Sequence, residues 1–321
     1  MLKPARIGLR ARVFAAAFFL VVPFSSSIAQ QPPPEAEWAP CAQCHEGIVK
    51  HFEGTKHGVK GIKGTPASLG GGCGACHGDV ADHLKTGNTD KLVRLADKTT
   101  PADQRSSTCL GCHSSGRHLT YWDMSKHKKN DVACSDCHNV HGKDTRATVA
   151  YYRTTVFPLE QEACNACHLQ VRTQFNKISH HPVPEGKMKC SDCHNPHGTL
   201  NHAMIKADSI TQLCTTCHAD KRGPFIWEHP PVEQNCLICH QSHGGVANKL
   251  LTERMPNLCE DCHDWGRHPT SFYDAKQGFL PVPGVSNAAP SSRLVARACA
   301  NCHSNIHGSN AAGTEGKRFI K

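Results

Sequence analysis

The sequence contains few of the large side chains that build an ordinary protein core. Aromatic residues make up 6% of its 321 positions, whereas 26 glycines and 20 prolines are present. Taken alone, this composition is closer to a disordered chain than to a globular domain. A component other than the side chains must therefore supply buried apolar surface if the chain is to fold.

Long hydrophobic runs are also scarce. The apolar run Val13 to Phe24 has twelve residues, fewer than the ~20 that cross a bilayer as a helix. Basic residues precede it and the small residues Ser27 and Ala29 follow it, a pattern typical of a secretory signal peptide rather than of an uncleaved anchor. We expect residues 1–29 to be a signal peptide and residues 30–40 a proline-rich flexible leader. The mature chain is expected to have no transmembrane segment of its own.

No cysteine is left over once a single motif has been counted. All 20 cysteines belong to ten copies of C-x-x-C-H. Zinc knuckles, redox pairs and disulfide frameworks also use C-x-x-C, but none of them requires a histidine after every copy. The motif is the c-type haem attachment signature, so the sequence predicts ten covalently attached haem c groups. The cysteines expected to form the thioethers are Cys41, Cys44, Cys73, Cys76, Cys109, Cys112, Cys134, Cys137, Cys164, Cys167, Cys190, Cys193, Cys214, Cys217, Cys236, Cys239, Cys259, Cys262, Cys299 and Cys302.

The histidine of each motif is the expected proximal ligand of its haem iron. Haem is attached to such motifs outside the cytoplasmic membrane, which agrees with the signal peptide and predicts a periplasmic protein. The proximal ligands are His45, His77, His113, His138, His168, His194, His218, His240, His263 and His303.

The motifs fall into five pairs that look like internal repeats. Within a decahaem domain covering residues 41–321, the five units are 41–83, 109–141, 164–197, 214–243 and 259–307. In every unit one further histidine precedes the second motif and another follows it, which gives ten candidate distal ligands. They are His57, His127, His181, His229 and His268 before the second motif, and His83, His141, His197, His243 and His307 after it.

Four histidines are surplus to this scheme, and two of them leave the choice of distal ligand open. His180 is an alternative to the adjacent His181. His118 is an alternative to His127, because Gly-Arg-His at 116–118 matches Gly-Arg-His at 266–268. The other two surplus histidines are His51 and His202.

Methionine is scarce, and no motif replaces its histidine with lysine, the variant found at the substrate haem of cytochrome c nitrite reductases. The mature chain retains only Met124, Met188, Met204 and Met255, so His/Met ligation is a minority at most. Because histidines suffice to fill both axial positions of every iron, the sequence favours electron transfer and predicts no catalytic residue. An oxidoreductase with one open iron, at the haem of His113 or His263, is the alternative from another class.

The basic charge balance does not indicate a nucleic-acid partner. The formal net charge is +9, and removal of the four basic residues of the signal peptide leaves about +5. Ten haems bring about twenty propionates against about ten ferric cores, so the oxidised protein should carry about −5. Binding to nucleic acid through a basic surface is therefore not expected.

Glycine, proline and asparagine interrupt most of the chain. We expect a multihaem cytochrome c fold that is mostly coil with short α-helices and very little β-structure, arranged as an elongated scaffold for a row of haems. Short helices are expected near residues 42–51, 159–178 and 293–302.

Two stretches carry a resemblance to a known family. One is Ser179 to Lys189 leading into C-S-D-C-H-N-P-H-G, and the other is residues 293–310, which contain the last motif. Together with the ten motifs they make the mature chain resemble the DmsE/MtrA family of periplasmic decahaem cytochromes c.

The resemblance implies ten bis-histidine haems in a wire that sits in or against an outer-membrane β-barrel porin. Members exchange electrons with periplasmic or extracellular cytochromes during metal reduction, ferrous iron oxidation or dimethyl sulfoxide respiration. A diffusible periplasmic shuttle or electron store for a reductase is the alternative within electron transfer.

Because haem is expected to supply the buried surface, the haem-free chain should not fold, as in small domains that are ordered by a metal. Heating the haem-free protein while recording circular dichroism should show no cooperative transition, whereas the haem-loaded protein should melt cooperatively. A native-like melt of the haem-free chain would contradict this prediction.

Overall fold

The computed structural model describes residues 38–141, 160–263 and 298–320. Their backbone forms short helices joined by turns. The α-helices are α1 (Ala39–Glu53), α2 (Gly74–His77), α3 (Ala81–Thr86), α4 (Ala102–His113), α5 (Lys126–Lys129), α6 (Glu160–Asn165), α7 (Leu169–Phe175), α8 (Cys190–Cys193), α9 (Ile210–Thr215), α10 (Pro230–Gln234), α11 (Asn257–Glu260) and α12 (Gly313–Lys317). Single 3-10 turns occupy Arg117–Leu119, Trp122–Met124, Cys134–Asp136, His202–Met204, Ala219–Lys221, Cys236–Ile238, Asn248–Leu250 and Cys299–Asn301.

The only β-sheet within these ranges has two strands. Strand β1 (Ser179–His180) runs antiparallel to β2 (Gly244–Gly245), with Ser179 opposite Gly245 and His180 opposite Gly244. The expectation of short helices, much coil and very little β-structure is confirmed.

The expected helices are present in altered form. Helix α1 extends beyond 42–51 at both ends. Its N-terminal extension includes Pro40, which is tolerated in the first turn because an N–H there would have no partner within the helix. Residues 160–178 hold α6 and α7, separated at the second cysteine and the histidine of a motif. Of 293–302, a 3-10 turn covers Cys299–Asn301. The signal peptide and residues 30–37 of the expected leader lie outside the described residues, as does His268.

Buried apolar side chains occur in small local groups rather than in one core. Trp38 is 3% exposed, contacts Phe52 edge-on at 5.7 Å and donates from Nε1 to Glu53 Oε1 at 2.7 Å. By contrast, Leu69 is 68% exposed and Ile178 80% exposed. Side-chain packing is thus too sparse to be the main stabilising interaction of this part of the chain.

Among the described residues, no helix is both long enough and apolar enough to span a membrane.

Glycines after the second histidine of a unit allow successive units to touch. A Cβ atom on Gly198 would lie 2.3 Å from the carbonyl oxygen of Tyr121, and one on Gly244 would lie 2.1 Å from that of Gln174. Gly308 approaches an aromatic ring equally closely. Gly198 also has a φ of +112°, a conformation that L side chains rarely adopt. The recurring His-Gly pair therefore has a structural cause, which is close backbone contact between neighbouring units.

Replacement of Gly198 by alanine should destabilise the protein, because both the clash and the positive φ must be relieved. We expect Gly198→Ala to lower the free energy of unfolding of the haem-loaded protein by about 1–3 kcal/mol in guanidinium chloride titrations. Gly61→Ala is the control, since a Cβ there meets nothing within 4 Å, and it should change stability by less than about 1 kcal/mol. Equal losses in the two variants would refute the close-contact explanation.

Candidate haem sites

All twenty cysteines lie in the described ranges, and none forms a disulfide. In the eight motifs outside α1 and α4, the amide of the histidine donates to the carbonyl of the first cysteine at 2.9–3.0 Å. Each motif is therefore one helical turn. Because positions i, i+3 and i+4 share a helix face, the turn presents both thiols and the imidazole to the same side. This is the arrangement that covalent attachment and proximal ligation of one haem require.

Nine of the proximal histidines each face the imidazole of one distal candidate. The ring centroids are 5.8–6.4 Å apart in these nine pairs. The pairs are His45–His83, His57–His113, His77–His141, His127–His168, His138–His197, His181–His218, His194–His243, His229–His263 and His240–His307. The tenth distal candidate, His268, lies outside the described residues.

The distance between the paired ring centroids matches the distance expected for two imidazoles bound to opposite sides of one metal ion. A metal–imidazole bond is about 2.0 Å long and a ring centre lies about 1.1 Å behind its nitrogen, so two imidazoles on one metal have centroids about 6.2 Å apart. Aromatic pairs without a metal scatter over about 4.5–7 Å. The nine proximal–distal pairs fall within a 0.6 Å interval (5.8 to 6.4 Å), a separation that would allow one metal ion to lie between the two rings.

Burial favours the neutral form of six distal candidates. It is the main cause of a lowered pKa in all six, and a nearby imidazole lowers the pKa further in each case. A neutral imidazole is the ligand form. The six are His57, His141, His197, His229, His243 and His307.

Backbone carbonyls fix the orientation of several paired rings by accepting from Nδ1, which leaves Nε2 for a metal. The distances are 2.6–3.2 Å. The proximal bonds are His77 to Val93, His194 to Ala203, His240 to Lys249 and His303 to Arg318. The distal bonds are His83 to Asn88, His127 to Pro196 and His181 to Ser242.

Two of these carbonyls belong to strained turns. Ala203 and Met204 have φ angles of 52° and 55°, and Lys249 with its successor Leu250 repeats the pattern at 59° and 56°. Each such residue costs about 1–3 kcal/mol when it is not glycine. In this backbone conformation, the carbonyls of Ala203 and Lys249 each face the proximal histidine nine residues earlier. The strained residues therefore lie where they orient an imidazole.

The surplus histidines are not part of such pairs within the described ranges. His180, the rival of His181, has both nitrogens engaged: Nδ1 lies 2.6 Å from the carbonyl oxygen of Lys177, and Nε2 lies 3.0 Å from Glu185 Oε1. His118 is exposed, whereas its rival His127 faces His168 at 6.1 Å. The geometry therefore favours His181 and His127 over their rivals.

The pairs interlock the five sequence units. Two pairs join each unit to the next: the unit 109–141, for example, places His127 opposite His168 and His138 opposite His197 of the unit 164–197. The first unit closes on itself through His45 and His83. A histidine thus serves a neighbouring unit in eight of the nine pairs, which the sequence alone did not resolve.

Cysteine contacts connect the ten motifs in the order of the sequence. Within a unit the first cysteines of the two motifs lie close enough for their free thiols to influence each other's ionisation, and between units the second cysteines do the same. The contacts within units are Cys41–Cys73, Cys109–Cys134, Cys164–Cys190, Cys214–Cys236 and Cys259–Cys299. The contacts between units are Cys76–Cys112, Cys137–Cys167, Cys193–Cys217 and Cys239–Cys262. Every motif is therefore close to the next one along the chain.

A buried ion pair anchors the two motifs of the second unit to each other. Arg105 of α4 is 2% exposed and donates to Asp136 at 2.6 Å and to Ser135 at 3.2 Å. Burial raises the pKa of Asp136, but hydrogen bonds from Arg105 and Lys98 outweigh it and lower the pKa to about 2. Loss of one partner of a buried pair typically costs about 3–5 kcal/mol. The pair therefore fixes the fourth motif against the helix that carries the third.

One buried donor supports the presence of a cofactor with acceptor groups. Trp122 is 6% exposed, and its ring lies 6.4 Å from that of His197, edge to face. Its Nε1 has no hydrogen-bond acceptor among the described residues, although buried indole N–H groups are normally paired. Haem propionates are acceptors of the required kind, so the site fits this cofactor.

Comparison with known proteins identifies the family. Residues 180–223 and 229–268 match the doubled CXXCH motif, and residues 73–157 match the family of the cytochrome c-type protein NrfB. The chain is 37% identical over 273 residues to the multiheme cytochrome MtrA of Shewanella baltica (strain OS185), covering 84% of this chain and 78% of that protein. This chain belongs to the MtrA family. It is a multihaem c-type cytochrome that binds haem covalently and transfers electrons.

More distant relatives share the haem-binding pattern but are longer. The C-type polyheme cytochrome OmcB of Geobacter sulfurreducens is 24% identical over 249 residues, and OmcC of the same species is 23% identical over 224 residues. The alignments cover 29% and 28% of those proteins. They support the multihaem cytochrome class, and the MtrA family membership confirms the resemblance drawn from the sequence.

The sequence does not reveal the residues that orient the ligands. Ala203 and Lys249 act through backbone carbonyls, and neither is a glycine or proline that would mark an unusual turn. Gln174 and Trp122 lie beside distal histidines in space but about 70 residues from His243 and His197, respectively, in sequence, roughly twice the length of a repeat unit. Only their similar position within the repeat could have indicated a shared role, since both precede the first distal histidine of a unit by five to seven residues.

Proposed function

We propose that the chain carries ten haem c groups, each ligated by two histidines, in a row that conducts electrons. The observation that carries this proposal is the set of nine imidazole pairs at metal-spanning separation, one for each of nine motifs. For the tenth motif we propose His303 and His268. The cysteine contacts between consecutive motifs support an order of haems that follows the sequence.

In this proposal each group of residues has a separate role. The twenty cysteines hold the porphyrin edges, the motif histidines supply proximal ligands, and the ten other histidines complete the coordination. Haem supplies the one-electron chemistry. The chain's residues exclude other ligands from both faces of the iron and orient the imidazoles through Nδ1, so the coordination is retained when the iron changes valence. With ten haems bound in this way, electrons could pass between neighbouring haems in either direction, and the paired histidines would leave no iron open for a substrate.

We further propose that the row crosses the outer membrane inside a β-barrel porin and exchanges electrons with periplasmic and extracellular cytochromes. The expected signal peptide and the membership of the MtrA family support this location. The apolar band of such barrels is only about 25 Å tall, which a row of ten haems can exceed. The terminal partner on the outside would serve metal reduction, ferrous iron oxidation or dimethyl sulfoxide respiration.

The ligand assignment predicts different outcomes for two adjacent histidines. His181→Ala should open one iron, because His181 faces His218 at 6.4 Å. One haem in ten should become high-spin in the ferric protein and bind carbon monoxide when reduced, as measured by electron paramagnetic resonance and optical titration. His180→Ala is the matched control and should leave all haems low-spin. The assignment is wrong if only the His180 variant binds carbon monoxide.

The conduit proposal predicts a stable membrane complex. The chain should be recovered from outer membranes in a detergent-stable complex with a barrel protein. Vesicles that carry the complex should pass electrons from an external reductant to an enclosed redox dye, whereas vesicles with the barrel alone should not. Recovery of the chain solely as a free periplasmic protein would instead identify a diffusible shuttle, and a high-spin iron in the native protein would indicate an enzyme.

A further inference from the structure

The proposed sixth haem site, between His194 and His243, differs from the other described sites in the hydrogen bonds of its ligands. His194 Nδ1 lies 2.8 Å from the carbonyl oxygen of Ala203, and His243 Nδ1 lies 3.0 Å from Gln174 Oε1. Both imidazoles of this pair thus have an acceptor. In each of the other eight pairs, at least one ring has no such acceptor among the described residues.

Gln174 must act as the acceptor in this contact. If His243 binds iron through Nε2, its Nδ1 carries the only proton of the neutral ring and can only donate. The half-buried Gln174 lies at the end of α7, next to Phe175, whose ring is 5.5 Å from that of His243. Its backbone is fixed as well, because Gly244 approaches the Gln174 carbonyl at a distance that leaves no room for a Cβ. The amide oxygen is therefore held toward the imidazole.

The equivalent positions in the neighbouring units do not supply this acceptor. The carbonyl contact that Gln174 makes with Gly244 is made by Tyr121 with Gly198, whereas Gly308 meets the side-chain ring of Phe225. In the described ranges, no acceptor lies within hydrogen-bond distance of Nδ1 of His197 or His307. Of the three distal histidines His197, His243 and His307, only His243 thus has an acceptor for its Nδ1 among the described residues.

We propose that Gln174 is a positioning residue that lowers the redox potential of the haem held by His194 and His243, relative to the haems held by the equivalent pairs His138–His197 and His240–His307. The inference rests on the ligand assignment under the proposed function. Donation from Nδ1 makes the imidazole more basic and stabilises the ferric state. The amide also fixes the plane of the His243 ring. If the sixth haem has a lower redox potential than its neighbours, an electron has a higher energy there, near the middle of the row.

The proposal is tested by removing the acceptor and following one haem. In Gln174→Leu, potentiometric titration of the haem-loaded protein should show one component, a tenth of the total absorbance change, shifted to higher potential with the others unchanged. His243→Ala identifies that component, because the same one should disappear from the low-spin set. Gln174→Glu retains an acceptor and should restore the wild-type potential or shift it lower.

Gln170→Leu is the matched control, since Gln170 is an exposed glutamine one turn earlier on α7. It should leave every component unchanged, so an equal shift in Gln170→Leu would assign the effect to the helix and overturn the proposal. If Gln174→Leu remains fully low-spin and no component shifts in potential, the proposed role of Gln174 is wrong. The ligand assignment would still hold in that case. If His243→Ala opened no iron, the assignment itself would fail, which distinguishes the two ideas.

Discussion

Pairs of facing imidazoles from distant parts of the sequence are the interaction on which the described structure depends. The rings of His138 and His197, for example, lie 6.0 Å apart although 59 residues separate them in sequence (197 − 138). Buried apolar side chains in the described ranges are few and scattered. Imidazole pairs of this kind join every unit to the next, and under the proposed ligation they would replace the hydrophobic core that usually brings distant segments together.

The backbone adapts to this constraint at recurring positions. Glycines such as Gly198 and Gly244 let one unit approach the next at distances that no side chain would tolerate. Left-handed residues such as Ala203 and Lys249 turn their carbonyls toward a proximal imidazole. Strain of about 1–3 kcal/mol at such a residue persists only where the surroundings over-determine it. Covalent attachment and ligation of haem, as proposed for each motif, would provide surroundings of that kind.

The chemistry of the sites could be predicted from the sequence, but their connectivity could not. C-x-x-C-H is a local signal, so the motifs and the histidines near them were recognisable, and the family resemblance is confirmed. Which imidazole faces which is decided by contacts between units, and spacing gave no choice between His180 and His181. The role of Gln174 rests on a side-chain contact 69 residues away (243 − 174). Helix lengths were predicted least well, because motif histidines interrupt helices, as between α6 and α7.

Because the units interlock, their histidine pairs would form in a fixed order as the chain is exported. The motifs that begin at Cys109, Cys164, Cys214 and Cys259 face imidazoles from the unit before them, whereas those at Cys73, Cys134, Cys190 and Cys236 face imidazoles from the unit after. A chain exported from its N-terminus would complete the first group at once. The second group would wait, each iron short of one ligand, until the following segment had emerged. Haem sites would then be completed one after another from the N-terminus. A chain truncated between two units would lack the second histidine of its last haem site.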